Sequence, residues 1–374
     1  MTDKHLTEPD TLINPVPRSR KWMWAVPVAG VVAVAAAVTA PMVANADPAL
    51  PSRTAAQLLV DVSTAKGTPL SGTVVETARL GLPALPDVGG TSISPTALLS
   101  GSHTARIWLD GKDKARVALV GQLAETDLVR NGRDVWLWTS GKNTAQHGRL
   151  PAATDREQAA PTPEALTPQE AAQRALAAIN PSTHVRVDGT ASVAGRSAYE
   201  LVLLPRDTRS LVGDVRIAVD SETKVPLRVQ VNARGATGKP AFETAFTSVT
   251  FAKPSASVFE FSPPPGATIS ELGQASGAPD LPKERGTSTG AGPRVIGAGW
   301  TSVLEVPAPT QPGPRPDARP GSSSELLGAF DRALTPVQGG RALQTALVSV
   351  LLTDDGRMLV GAVPKSVLVQ AAGR

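Results

Sequence analysis

Between Ser197 and Phe251 the chain holds a series of short runs with apolar side chains at every second position, a period that admits few folds. In several of them one parity is apolar: Tyr199, Leu201 and Leu203; Val215, Ile217 and Val219; Leu227, Val229 and Val231. The opposite parity carries Glu200, Arg216, Arg228 and Gln230. Strand side chains point alternately to the two faces of a sheet. The pattern therefore predicts an antiparallel sheet with one face buried and the other wet. Four strands are expected here, at 197–204, 214–220, 226–232 and 242–251, separated by Gly, Asp and Ser-Glu-Thr turns.

The same reading extends upstream. Strands are expected at 72–80, 103–110, 114–120 and 125–130, and a further strand at 134–139 follows Asn131-Gly132. Asn-Gly is the dipeptide best suited to positive φ at both positions of a hairpin turn. In that last strand Val135 and Leu137 point one way and Trp136 and Trp138 the other, so both faces are apolar. Each face is either covered or kept as a hydrophobic surface for a ligand. Two capping boxes predict helices beside the sheet, Thr54 with Gln57 opening 54–65 and Thr167 with Glu170 opening 167–179. Residues 81–101 mix Gly and Pro with Leu and Ile, as a surface loop or a flap over an apolar opening would. The segment 141–166 reads as irregular.

The N-terminus sets the compartment. Arg18-Ser19-Arg20-Lys21 precedes an uncharged apolar run, Trp22 to Ala46, ending in the small-x-small pattern Val43-Ala44-Asn45-Ala46. This is a signal peptide cleaved after Ala46 or a membrane anchor at 22–44, since about 20 apolar residues span a bilayer. Both leave the basic flank in the cytoplasm and the remaining chain outside.

Beyond Phe261 the alternation stops. Gly/Pro/Ser-rich linkers are expected at 272–294 and 307–324. A small domain at 295–374 would hold a strand near Trp300–Val306, a helix near Ser324–Leu334 and a hairpin around Asp355-Gly356, in β-α-β-β order.

Chemistry is sparse. The chain has no cysteine and four histidines, none in a metal-binding spacing. No Gly-x-Ser-x-Gly elbow, Ser-x-x-Lys or P-loop is present. Asp354-Asp355, and Asp110 with Asp113, bracket turns. The net charge of +4 is dispersed and forms no nucleic-acid footprint. No catalytic residue, metal or cofactor is expected. An apolar sheet face beneath helices suits acyl chains, each buried methylene contributing about 0.8 kcal/mol. A dry packed core is the competing reading.

Three stretches together carry a family resemblance. Asn131 to Trp138 resembles the D-G-x-x-L-W-x-Y strand of LolA-like lipoprotein carriers. Arg106-Ile107-Trp108-Leu109 resembles their earlier tryptophan-bearing strand, and Phe259 to Ala267 their closing F-x-F-x-P-P-x-G. Gly111-Lys112 stands where many carriers have Arg-Pro. The resemblance covers about residues 54–271 and implies an α+β, mainly β, fold. Its sheet is a curved antiparallel half-barrel with helices as a lid over a hydrophobic cavity. RseB/MucB-type regulators share that fold and append a smaller C-terminal domain, as 295–374 would here. The implied function is non-enzymatic binding or carriage of lipoprotein or lipid acyl chains at the cytoplasmic membrane. The alternative is an envelope-stress sensor acting on an anti-sigma factor. Domain boundaries follow as 1–46, 47–271, 272–294 and 295–374. The candidate cavity lining is Trp108, Val135, Trp136, Leu137, Trp138, Leu201, Leu203, Ile217 and Val229. Alternation leaves open which parity faces inward.

Overall fold

The computed structural model describes residues 50–65, 67–82, 100–121, 124–150, 167–168, 182–272, 293–308 and 332–373. The export segment 1–46, most of the 81–101 loop, nearly all of the helix expected over 167–179, most of both linkers and nearly all of the helix expected over 324–334 lie outside those residues. Among the described residues no helix is long and apolar enough to cross a membrane.

Helix α1, Ala55–Thr64, starts at the expected capping box. The Thr54 hydroxyl accepts from the Gln57 amide, and the Gln57 side chain accepts from the Thr54 amide. Twelve strands then make one open sheet. They are β1 (Leu70–Arg79), β2 (Ser100–Asp110), β3 (Lys114–Val120), β4 (Glu125–Asn131), β5 (Asp134–Thr139) and β6 (Thr144–Arg149). β7 (Thr183–Val193), β8 (Arg196–Pro205), β9 (Val212–Asp220), β10 (Pro226–Ala233), β11 (Phe242–Thr250) and β12 (Thr268–Glu271) complete it. Their spatial order is β12-β6-β5-β4-β3-β2-β1-β11-β10-β9-β8-β7. Two meanders, β1–β6 and β7–β11, are thus joined along one antiparallel seam between β1 and β11. All pairs are antiparallel except β12 with β6. Strand Cα atoms of β7 and β11 come within 8 Å of each other. Three strands lie between those two, and at about 4.8 Å per strand a flat sheet would hold them far further apart. This half of the sheet is therefore strongly curled.

Three strands, β6, β7 and β12, depart from the expectation. β6 falls in the stretch expected to be irregular: Thr-Ala-Gln-His-Gly-Arg buries only Ala145, so no apolar period marks it. The alternation of β7 breaks at Asp188-Gly189, where its register against β8 slips. The turn between β4 and β5 also sits one residue later than expected. Asn131 pairs with Asp134 as the last rung of the ladder, and Gly132-Arg133 turn the chain. Gly132 alone has positive φ, 65°. Glycine at the first turn position is the requirement of a type II′ hairpin, which Asn-Gly-Arg-Asp satisfies one step on from the type I′ reading.

A second sheet follows, formed by β13 (Arg294–Ile296), β14 (Val303–Pro307), β15 (Thr335–Val337), β16 (Gly340–Gln344), β17 (Ser349–Thr353) and β18 (Arg357–Gly361). Its order is β13-β14-β18-β17-β16-β15. The terminal helix α2, Lys365–Ala372, packs Leu368 and Ala371 against Leu351, Leu359 and Ala342. The expected strand and hairpin are β14 and the β17–β18 pair. Strands β13, β15 and β16 and the closing helix exceed the expected β-α-β-β outline.

Candidate functional site

Directly paired residues of neighbouring strands share a face, so the register sorts the nine candidate residues. One unbroken row crosses seven strands: Val187, Leu201, Ile217, Val229, Thr244, Glu76 and His103, from β7 to β2. The adjacent row carries Val185, Leu203, Val215, Val231, Phe242 and Ala78. Following the pairs onward through Ile107, Val117 and Leu128 brings Leu137 and Val135 to this same face. Trp108, Trp136 and Trp138 lie on the other face. Six aliphatic candidates and three indoles therefore cannot line one surface.

The aliphatic face is the one that α1 covers. Leu58 and Val62 of the helix join Tyr199, Leu201, Leu203, Val215, Ile217, Val219 and Val229 in one buried cluster. Leu201, Leu203 and Ile217 are fully buried. Tyr199 anchors the chain entering α1, donating from its hydroxyl to the Pro51 carbonyl at 2.9 Å. The second sheet contributes to the same cluster. Leu347, from the β16–β17 turn, is buried in it, with Trp300, Ala346, Val348 and Ala362 packed alongside. Hydrogen bonds across that docking include Trp300 Nε1 to Thr183 Oγ1 at 2.8 Å, Leu211 N to the Ala362 carbonyl at 2.8 Å, and Ala346 N to the Leu80 carbonyl at 2.8 Å.

The indole face is covered by the chain's own closing stretch. Phe261 sits with its ring centroid 5.4 Å from Trp136 and 6.2 Å from Trp138, and Phe259 beside it is buried. His147, the cross-strand partner of Trp136, stacks on that indole at 4.3 Å. Arg116 lies 5.6 Å above Trp108, pairs with buried Asp127 and donates to the Val258 carbonyl at 3.4 Å. Phe-Glu-Phe-Ser-Pro-Pro-Pro-Gly thus works as a strap across the tryptophan strand.

Towards β7, the indole side of the sheet becomes a charged lattice. Glu200 accepts from Arg216 at 2.6 Å and from Arg228 at 2.9 Å, and Arg216 also reaches Asp188 at 3.1 Å and Asp214 at 3.2 Å. This is the wet face that the alternation predicts, and it fixes which side of the sheet is left for apolar contact.

Sequence reasoning missed two polar groups on the aliphatic face. Glu76 is 5% exposed and Thr244, directly opposite it, is 0% exposed. Burial pushes the Glu76 carboxyl up to about 7, with the charge of His103 opposing the shift. The Thr244 hydroxyl has no hydrogen-bond partner among the described residues. The signal was present in Thr-Val-Val-Glu-Thr-Ala, where a glutamate takes the parity of Val74 and Ala78.

Among the described residues no group of three His, Asp or Glu side chains gathers as a metal site. The fold and its apolar face define a class: an open antiparallel sheet with a helix laid on one side and a small second sheet docked on the same core. Residues 93–271 match the family described as "Predicted periplasmic protein (DUF2092)". Among curated proteins, none matches the chain in sequence. Solved structures to which it is similar include MucB in the Pseudomonas aeruginosa MucA/MucB complex, at 17% identity and a TM-score of 0.41, covering 83% of this chain and 94% of that one. A LolA superfamily protein from Nitrosomonas europaea is similar at 11% identity and a TM-score of 0.22, covering 56% of this chain and 99% of that one.

Proposed function

We propose that this protein is a non-enzymatic, extracytoplasmic binder of the acyl chains of lipids or lipoproteins. It takes them up between the aliphatic sheet face and α1. The observation that carries this reading is the row Val187–Leu201–Ile217–Val229, four aliphatic side chains aligned across four strands under one short helix. Such a row offers a continuous apolar track, and each methylene transferred to it from water contributes about 0.8 kcal/mol. Leu203 flanks the track, and Val135 and Leu137 extend the same face. In this reading Trp136 and Trp138 seat the strap through Phe261, Trp108 lies beneath Arg116, and none of the three touches the ligand. The compartment rests on the export segment and on the periplasmic description of the matched family.

Val229→Phe separates this reading from a dry core. If α1 lifts to admit a chain, the added ring occupies ligand space. The variant then stays folded and its affinity for a fluorescent acyl probe drops at least tenfold. In a packed interior the same ring costs about 1–3 kcal/mol of stability. A wild-type protein that binds no acyl probe and carries no lipid in native mass spectrometry would sink the proposal.

A second reading is favoured by the docking of Leu347 into the cluster beneath α1. A ligand entering there competes with the second sheet for the same contacts. The protein would then act as a sensor, passing acyl occupancy to a membrane partner such as an anti-sigma factor. Capture of a membrane partner that is indifferent to acyl ligand argues against it.

A further inference from the structure

The row that crosses the sheet does not end as it begins. Its first four members are aliphatic, and the next three are Thr244, Glu76 and His103. From Leu201 to Glu76 the row spans four strand-to-strand steps, roughly 19 Å along the sheet at about 4.8 Å per step. Followed round the curl of the sheet, that contour is comparable to the length of a long acyl chain bent to match it. Buried polar groups are normally hydrogen-bonded, and exceptions call for an explanation. Here the Thr244 hydroxyl is buried without a partner among the described residues, next to a glutamate removed from solvent on a face otherwise built for hydrocarbon.

We propose that Thr244 and Glu76 form a headgroup subsite for a neutral amphiphile whose hydroxyl or amide hydrogens they accept, with its tail on the aliphatic part of the row. The inference rests on the acyl-binding reading and adds to it a choice between kinds of lipid. Ionised, Glu76 supplies acceptor oxygens only; protonated, it can also donate. Thr244 can accept and donate. A hydroxyl or amide head satisfies both, whereas an anionic carboxylate or phosphate head meets the Glu76 charge in a poorly solvated place. By the pairing register, the titratable residues on this face of β11, β1 and β2 are Glu76 and His103. His103 is itself engaged by the Ser100 carbonyl at 3.0 Å. On α1, Asp61 is paired with Arg53 at 2.9 Å. The selectivity follows from the protonation of Glu76. Ionised at pH 8, it rejects anionic heads; protonated at pH 6, it tolerates them.

The test uses the purified full chain and displacement of a fluorescent acyl probe by two competitors of equal chain length, a monoacylglycerol and a fatty acid. At pH 8 the monoacylglycerol is expected to bind at least tenfold more tightly, and the gap should narrow at pH 6. Glu76→Gln should abolish the pH dependence of that gap. Thr244→Val, nearly isosteric and so a safeguard against a folding defect, should weaken monoacylglycerol binding several-fold and leave the fatty acid unchanged. Equal binding of both competitors at pH 8, with the probe still bound, overturns the subsite and leaves acyl binding standing. No probe binding at all overturns both.

Discussion

Asp220 shows how a single carboxylate sets the geometry around it. It is fully buried at the end of β9, and its Oδ1 accepts from the amides of Glu222 and Thr223, at 3.1 and 2.7 Å, and from the Thr223 hydroxyl at 2.9 Å. Arg196 donates to both oxygens and reaches Glu222 as well. Burial works to raise its pKa, but the hydrogen bonds from Arg196 and Thr223 outweigh it and hold the group below the usual carboxylate range. A depressed folded-state pKa stabilises the protein above the unfolded value, and that stability is lost as pH falls through the folded one. Asp220→Ala should cost about 2–4 kcal/mol at pH 7, because buried donors are left unpaired. It should also flatten the acid limb of a pH–stability curve, measured by urea unfolding. An unchanged acid limb would show that other carboxylates govern it. At this scale the sequence was only partly legible. Ser-Glu-Thr marked the turn, but nothing in it announced that Asp220 would reach across to Arg196 on another hairpin. Glu76 had the opposite fault: its parity was readable and its burial was overlooked.

Elements were legible where one face is apolar and obscure where neither is. Strands β8, β9 and β10 lie where the alternation places them, although Val202 and Ala218 are buried on its polar parity and the β9–β10 register slips beside Pro226, and α1 starts at the hydroxyl its capping box nominates. β12 is four exposed residues held by parallel pairing to β6, an arrangement without a local sequence signature. The nine candidate residues divide between two faces for a related reason: alternation sorts a strand's side chains into two groups but does not say which group faces the helix. Only the register followed from β8 through to β5 decides that. Gly72 illustrates another long-range constraint. A Cβ there would stand 2.3 Å from the Ser248 carbonyl oxygen and 2.9 Å from the Phe246 ring. Gly72→Ala therefore pushes β1 from β11 and should destabilise the protein by about 1–3 kcal/mol. A lowered denaturant midpoint at unchanged slope is the expected signature, and a midpoint equal to wild type would contradict the close approach.

For the whole molecule, the second sheet matters most through Leu347, its one buried contribution to the cluster beneath α1, with Trp300, Ala346, Val348 and Ala362 packed alongside. Leu347→Asp therefore places a carboxylate among aliphatic side chains. Loss of this contact should be large on the scale of about 1–3 kcal/mol for an unpaired polar group. If the protein senses acyl ligands, capture of its membrane partner depends on added ligand in the wild type and becomes independent of it in Leu347→Asp. Ligand dependence that survives the substitution would locate the coupling elsewhere. That two sheets would form was readable from the composition change after Phe261; that they share a core was not, because docking depends on a turn residue with no periodic pattern around it.

The seam between β1 and β11 has a consequence for how the protein comes into being. Neighbouring strands within each meander are close in sequence, but Thr77 finds its mate only at Glu243. Long-range pairing must overcome loop-closure entropy before any contact rewards it, and such pairings form slowly. A chain made from its N-terminus thus has β1 exposed along one edge, and it stays so until almost the whole large sheet has followed. The aliphatic row on β7–β10 is delivered late in that interval, just before β11 closes the seam, so it is covered soon after it forms.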